Sequence, residues 1–219
     1  MAEQQGLQAW LQNDVVKGKI VEALGKNATT FTSALLQIYT NNRQLQECDG
    51  RSILGAAMLA ASMNLSITPS LGQAYIVPYK AYERGQNIWK AQFQIGTKGL
   101  IQLAHRTGKY VALHAGKIFE GQITGFNPIT GEPIVGEKIS DGVVGYVAYM
   151  RLNNGFEKTE YMPLPEVEKH AEKYSQSYSY DKKSGKQTSP WSTKFDAMAC
   201  KTVLKHLLKN WGILTTDMA

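Results

Sequence analysis

Three polar side chains, Lys98, Gln102 and Arg106, recur every fourth residue in the stretch FQIGTKGLIQLAHRTGKY, residues 93 to 110. On a helix that spacing puts them on one face, with Leu100, Ile101, Leu103 and Ala104 on the other. Lys109 and Tyr110 follow directly after Gly108. Cations and an amide beside an aromatic ring suit a phosphate-bearing strand. The same residues also make an ordinary solvated helix face, and alone they favour that simpler account. A second series, Lys194, Lys201, Lys205 and Lys209, is offset by seven, four and four, one narrow stripe of a helix. Lys182, Lys183 and Lys186 precede it in SQSYSYDKKSGKQTSP, residues 175 to 190, close to Tyr174, Tyr178 and Tyr180. Those rings could stack on bases while the lysines meet phosphates. A stripe serving only solubility, and a plain polar linker, are the alternatives.

Equipment for bond-making chemistry is missing from the sequence pattern. None of the Gly-Lys pairs, at 18, 25, 108, 116 and 185, is followed by Ser or Thr in a phosphate-loop frame. No HExxH, GxSxG or acidic cluster suggests a hydrolase or a metal-dependent nuclease. His105, His114, His170 and His206 are scattered, as are Cys48 and Cys200, which argues against a zinc site or a disulfide scaffold. The 24 basic residues against 18 acidic ones give +6 and a pI near 9.2, a balance that suits a polyanionic partner without requiring one. The start MAEQQGLQAWLQND lacks the pattern of a signal peptide, and no apolar run reaches membrane-spanning length. A cytoplasmic protein with no membrane association is expected.

The elements that must carry these side chains follow from periodicity. Leu7, Trp10, Leu11, Val15, Ile20, Val21 and Leu24 are loosely helical, interrupted by Gly18. A second helix is predicted over about 30–40, and a third over 53–63, capped by Asp49 or Ser52. Strand texture begins after Thr68-Pro69, with 73–80 and 88–95 joined at Gly85-Gln86-Asn87, and Pro78 arguing for an edge. A short helix over 97–107 precedes a strand over 111–119, a Gly- and Pro-rich loop over 121–142, and a hairpin of 143–152 and 156–162 closed by Asn153-Asn154-Gly155. A helix starting at Pro163–Pro165, the polar loop 175–190 and a long basic helix over about 190–210 complete the chain. The fold class expected is α+β. A helical N-terminal third (1–66) precedes a β-rich core (67–162) of antiparallel hairpins or a curved sheet, with one short inserted helix. A helical end (163–219) follows, all in one domain.

The order and spacing of several motifs resemble the RecT branch of the RecT/Redβ superfamily of phage single-strand annealing proteins. They are Leu65-Ser66-Ile67-Thr68-Pro69, then Leu71 to Tyr79, then Ile95-Gly96-Thr97-Lys98-Gly99-Leu100-Ile101 through Arg106-Thr107-Gly108. Pro190-Trp191, Met198-Ala199 and Lys201-Thr202 ahead of Leu207 close the series. The resemblance runs from about Cys48 to Leu208. Ser66 stands where the family usually has Gly, Gln73 where it often has His, and Thr97 where it often has an aromatic; none of these removes a positive charge. Members commonly extend into an acidic tail, which would be absent or removed here.

The resemblance implies ATP-independent binding of single-stranded DNA and annealing of complementary strands by a homo-oligomeric ring or filament. No cofactor is required, and Mg would enter only as an accessory through the DNA. Implied partners are single strands, the annealed duplex intermediate, a phage exonuclease and a host single-strand-binding protein. On the matched motifs, Lys98, Arg106 and Lys201 are assigned to phosphates. Charge and neighbourhood add Lys109, Lys117, Lys182, Lys186 and Lys205, with Gln102 at a phosphate or sugar and Tyr180 and Trp191 as stacking candidates. Tyr75 is read as packing. The N-terminal helices and an exposed strand are expected at protomer contacts. A basic protein coating duplex DNA and a nuclease with a dispersed carboxylate site are the rivals.

Overall fold

The computed structural model describes residues 7–83 and 85–216, and divides the chain into two compact units: residues 1–106 with 215–219, and residues 107–214. Each unit carries its own apolar core. The β pairing of residues 67–162 closes separately on either side of Arg106, because the first hairpin packs on a helix of its own unit while the next strand pairs further along the chain.

The first unit opens with α1 (Leu7–Gln12) and α2 (Asp14–Leu24), separated at Asn13, whose side chain accepts from the Val15 and Val16 amides. That cap, rather than Gly18, divides the two helices, since Gly18 lies inside α2. A 3₁₀ turn (Gly25–Asn27) leads to α3 (Ala28–Thr40), and Asn42 caps the short α4 (Arg43–Gln46). α5 (Gly50–Ser62) is capped by Asp49, which accepts from the Ser52 amide. Ala56, Ala57, Ala60 and Ala61 are buried along α5, so neighbouring backbone approaches closely. β1 (Ala74–Glu83) and β2 (Gln86–Ile95) form an antiparallel hairpin that packs on α5, with the Ser52 hydroxyl accepting from the Ala91 amide at 2.9 Å. Pro78, with no N–H to donate, is tolerated because β1 has a partner on one side only among the described residues. α6 (Thr97–Arg106) ends the unit, and the Thr215 amide returns to the Leu103 carbonyl.

The second unit is built on β3 (Tyr110–Phe119), β6 (Val143–Leu152) and β7 (Glu157–Pro163), an antiparallel sheet in the order β3-β6-β7. The Gly- and Pro-rich segment between β3 and β6 contains a small hairpin, β4 (Ile123–Phe126) with β5 (Pro133–Val135), where the sequence suggested only a loop. Central β6 alternates as a strand packed on one face should: Tyr146, Ala148, Met150 and Leu152 are buried. Against them lie Val167 and Ala171 of α7 (Leu164–Tyr174), and Ala199, Val203 and Leu207 of α10 (Phe195–Trp211). α8 (Gln176–Ser184) takes up the first part of the stretch 175–190 read as a polar loop, residues 185–189 stay non-helical, and α9 (Pro190–Thr193) begins at its end. The expected single helix over 190–210 is broken at Lys194, whose non-helical backbone (φ −142°, ψ 50°) separates α9 from α10.

Candidate nucleic-acid interface

In the first unit α6 is seated by glycines. A Cβ on Gly99 would meet the Gln73 carbonyl at 2.2 Å, and one on Gly96 would meet the Gly72 carbonyl at 2.1 Å. The start of α6 therefore lies flush on the turn at Gly72, which is itself left-handed (φ +65°). That contact leaves Lys98 exposed, with its methylenes beside Gly72 and no acidic partner among the described residues. Gln102 is half-buried one turn on. Gln73, at a departure from the family pattern, accepts from the amide of Ser66, at another, and so fixes the approach to β1.

Arg106 has a different employment from the one expected of it. Its Nη1 donates to the Met63 carbonyl at 2.7 Å and Nη2 to the Asn64 carbonyl at 2.5 Å. These carbonyls end α5, where a cation is favoured by the helix dipole and unpaired acceptors need donors. Nε is buried without a partner among the described residues. Helical spacing put Arg106 in line with Lys98 and Gln102, but its guanidinium is spent on the end of α5.

In the second unit the assigned cations fall into two groups. Lys117 is 3.1 Å from Asp196, whose other oxygen accepts from the Tyr146 hydroxyl at 2.6 Å. The Tyr146 hydroxyl first, and Lys117 after it, hold the Asp196 carboxyl below its ordinary range. Lys182 is paired with Glu172 and lies near the Tyr178 ring. These two are already neutralised. Lys201 and Lys205 lie on one face of α10 with Lys209, without acidic partners among the described residues. Burial, and after it Lys209 and Lys201, push the Lys205 ammonium below its ordinary pKa, as expected for a cation among unanswered cations.

α7 carries Tyr174, read from the sequence as a ring that could stack on bases, together with His170 and Lys173, which sequence reasoning left out of the site. Burial first, then His206, Lys205 and Lys173, lowers the His170 pKa, so these groups share one electrostatic neighbourhood. Tyr174, 67% exposed, has its ring centroid 4.6 Å from that of His170 and 5.2 Å from Lys173 Nζ. The exposed Tyr174 ring beside Lys173 can meet a base and a phosphate together. The i, i+3 and i+4 spacing of His170, Lys173 and Tyr174 was visible in the sequence; the packing of α7 beside α10 was not.

Lys182, Lys186 and Trp191 are brought together around a recess of about 330 Å³. Trp191 is only 6% exposed, and its ring packs against Phe195 (5.4 Å) and Tyr178 (6.1 Å). It is a core anchor and not an open stacking platform, because the start of α9 turns it into the core. Tyr180, by contrast, is 56% exposed with Lys186 Nζ 5.7 Å from its ring. Between them Asp181, 2% exposed, accepts from the Thr188 and Ser189 amides and the Thr188 and Ser192 hydroxyls. These bonds, the Ser192 hydroxyl foremost, hold its carboxyl far below the usual range and close the turn that carries Lys186. Lys109 is exposed after the left-handed Gly108, with its carbonyl held by the Asn153 amide.

Among the described residues no three His, Cys, Asp or Glu side chains are grouped to hold a metal ion, and no helix is long and apolar enough to cross a membrane. Burial pushes the Cys48 thiol up to about 11, the state of a packed rather than a reactive sulfur. The sequence matches the RecT family over residues 29–219. It is 42% identical over 220 residues to the uncharacterized protein YqaK of Bacillus subtilis (strain 168), across 99% of this chain and 71% of that one. Protein RecT of Escherichia coli (strain K12) is 26% identical over 208 residues, across 92% of this chain and 73% of its own.

Proposed function

The chain belongs to the RecT family, and on that premise we propose that it binds single-stranded DNA and anneals complementary strands without ATP, acting as a homo-oligomer. The observation that carries this reading is the family match across residues 29–219, which takes in every residue assigned to DNA, from Lys98 to Lys205. Annealing makes three physical requirements. Phosphate repulsion has to be neutralised, and Lys98 in one unit and Lys201, Lys205 and Lys209 in the other lack acidic partners among the described residues. Contacts to the backbone must leave base edges free, which lysines on helix faces do. Several protomers must hold one strand so that many bases are tested at once, which self-assembly supplies. An exonuclease that exposes single strands and a host single-strand-binding protein are the partners this activity calls for, and the cytoplasm is where it would work.

The test is fluorescence anisotropy of the protein with labelled single strands and with the matching duplex across a salt series. The reading requires single strands to bind with an affinity that falls steeply as salt rises. Equal affinity for duplex of any sequence, with no response to strandedness, would favour a coating protein instead.

A further inference from the structure

The β1–β2 hairpin has two unlike faces. Ala74 and Ile76 of β1 and Ala91, Phe93 and Ile95 of β2 belong to the core of the first unit. The opposite face carries Tyr75, Val77 and Tyr79 on β1, in register with Gln94, Gln92 and Lys90 on β2. Tyr79 is 38% exposed and Gln92 and Gln94 are exposed, while Tyr75, Val77 and Lys90 are half-buried, so the face is open at Tyr79, Gln92 and Gln94 and partly covered at Tyr75. Tyr75 is placed by the glycines that seat α6. A Cβ on Gly96 would stand 3.0 Å from its ring, and one on Gly72 would meet both its hydroxyl (3.2 Å) and the Lys98 Cδ (3.5 Å). Tyr75 and the unpaired cation Lys98 are therefore neighbours at one end of the strip. Lys90 and Glu83 form an ion pair towards the other end.

We infer that this open face is a base-stacking strip for single-stranded DNA, with Tyr75 and Tyr79 under the bases and Lys98 at the backbone where the strand leaves it. The inference rests on the single-strand reading above and adds the surface that meets the bases. Tyr75 and Tyr79 are separated by about 13 Å at about 3.3 Å per strand residue, so on a strand rising about 3.4 Å per nucleotide they meet bases several nucleotides apart. Gln92 and Gln94 supply donors and acceptors for what lies between. Ring stacking is tolerant of sequence, because every base has a π-face, and it leaves pairing edges uncovered for a second strand. Apart from Val77, Ala81 and Ile88 the face offers no aliphatic surface; its own charges, Lys90 and Glu83, are paired, and the cation at its end, Lys98, has no acidic partner among the described residues. Those are features suited to a polyanion with aromatic bases and not to an apolar protein partner.

The experiment compares Tyr79→Ala and Tyr79→Phe with the wild-type chain for affinity to a single strand across a salt series. Photocrosslinking of an oligonucleotide carrying 5-iododeoxyuridine maps the contact in parallel. Tyr79→Ala should weaken binding about tenfold, with the slope of affinity against salt unchanged because no counterion is displaced by a ring. Tyr79→Phe should bind as the wild type does, and crosslinks should fall on Tyr75 or Tyr79. Wild-type affinity in Tyr79→Ala with crosslinks elsewhere overturns the strip while leaving single-strand binding intact. Altered self-assembly by sedimentation at unchanged DNA affinity would make the face a protomer contact and also overturn it. Failure of the wild-type chain to bind single strands would remove the reading on which the strip rests.

Discussion

Nη1 of Arg106 stands 2.7 Å from the carbonyl of Met63, and with its neighbour at Asn64 it closes the C-terminal end of α5. An arginine that reads in sequence as a member of a phosphate-facing row is thus also a fastening between two helices of the first unit.

Arg106→Ala should cost about 2 kcal/mol of stability, the order expected for charge-assisted hydrogen bonds to carbonyls left unanswered. Denaturant unfolding of the variant and of Lys98→Ala checks this. Lys98→Ala should keep wild-type stability, yet lower the salt dependence of single-strand binding by about one phosphate contact. A stable Arg106→Ala would refute the fastening.

The lysines of the second unit should not be equivalent. Lys201→Ala and Lys205→Ala remove unanswered charge, so each should lower single-strand affinity and reduce the salt slope by about one. Lys117→Ala and Lys182→Ala remove cations already paired with Asp196 and Glu172, and should change the slope by less. Binding isotherms at several salt concentrations separate the two classes.

His170 should give binding a pH dependence. Burial and its cationic neighbours lower its pKa, so it is neutral in the free protein near pH 7 and takes up a proton only below the usual histidine value of about 6.5. A phosphate nearby opposes that shift. Affinity for single strands should therefore rise as pH falls through about 6.5, and His170→Ala should flatten the rise. An unchanged pH profile in the variant would place the strand away from α7.

Asp181 should govern acid stability of the second unit. Its folded-state pKa is depressed, so its contribution is fully present above the unfolded value of about 3.9 and is lost as pH falls further towards the folded value. Thermal unfolding of Asp181→Asn should lie below the wild type at neutral pH, and the gap should narrow below about pH 4. A constant gap across that range would contradict a charged Asp181 in the fold.

Much of the fold was legible from local chemistry. Asn153-Asn154-Gly155 closes its hairpin with Gly155 left-handed at φ +85°, and Asp49 caps α5, because turns and caps are decided by a few adjacent residues. Lys201, Lys205 and Lys209 of the lysine stripe were legible for the same reason, since helical periodicity is local, but Lys194, read as its first member, stands outside α10 at its N-cap. What remained hidden depended on partners distant in sequence. Arg106 and Lys117 looked free until Met63 and Asp196 were beside them. Trp191 could be read as a stacking ring or as a core anchor ahead of an amphipathic helix, and only its contacts with Tyr178 and Phe195 decide for the anchor. The stretch around Asp181 looked structureless because its order comes from one buried carboxylate gathering Thr188, Ser189 and Ser192, and no periodicity records that.

The most direct measurement is the rate at which two complementary oligonucleotides pair, with and without the protein, in nucleotide-free buffer at increasing salt. The account predicts acceleration that fades as salt rises and that weakens in Lys201→Ala. Strands that bind the protein but pair no faster, or that are shortened when Mg is added, would contradict it.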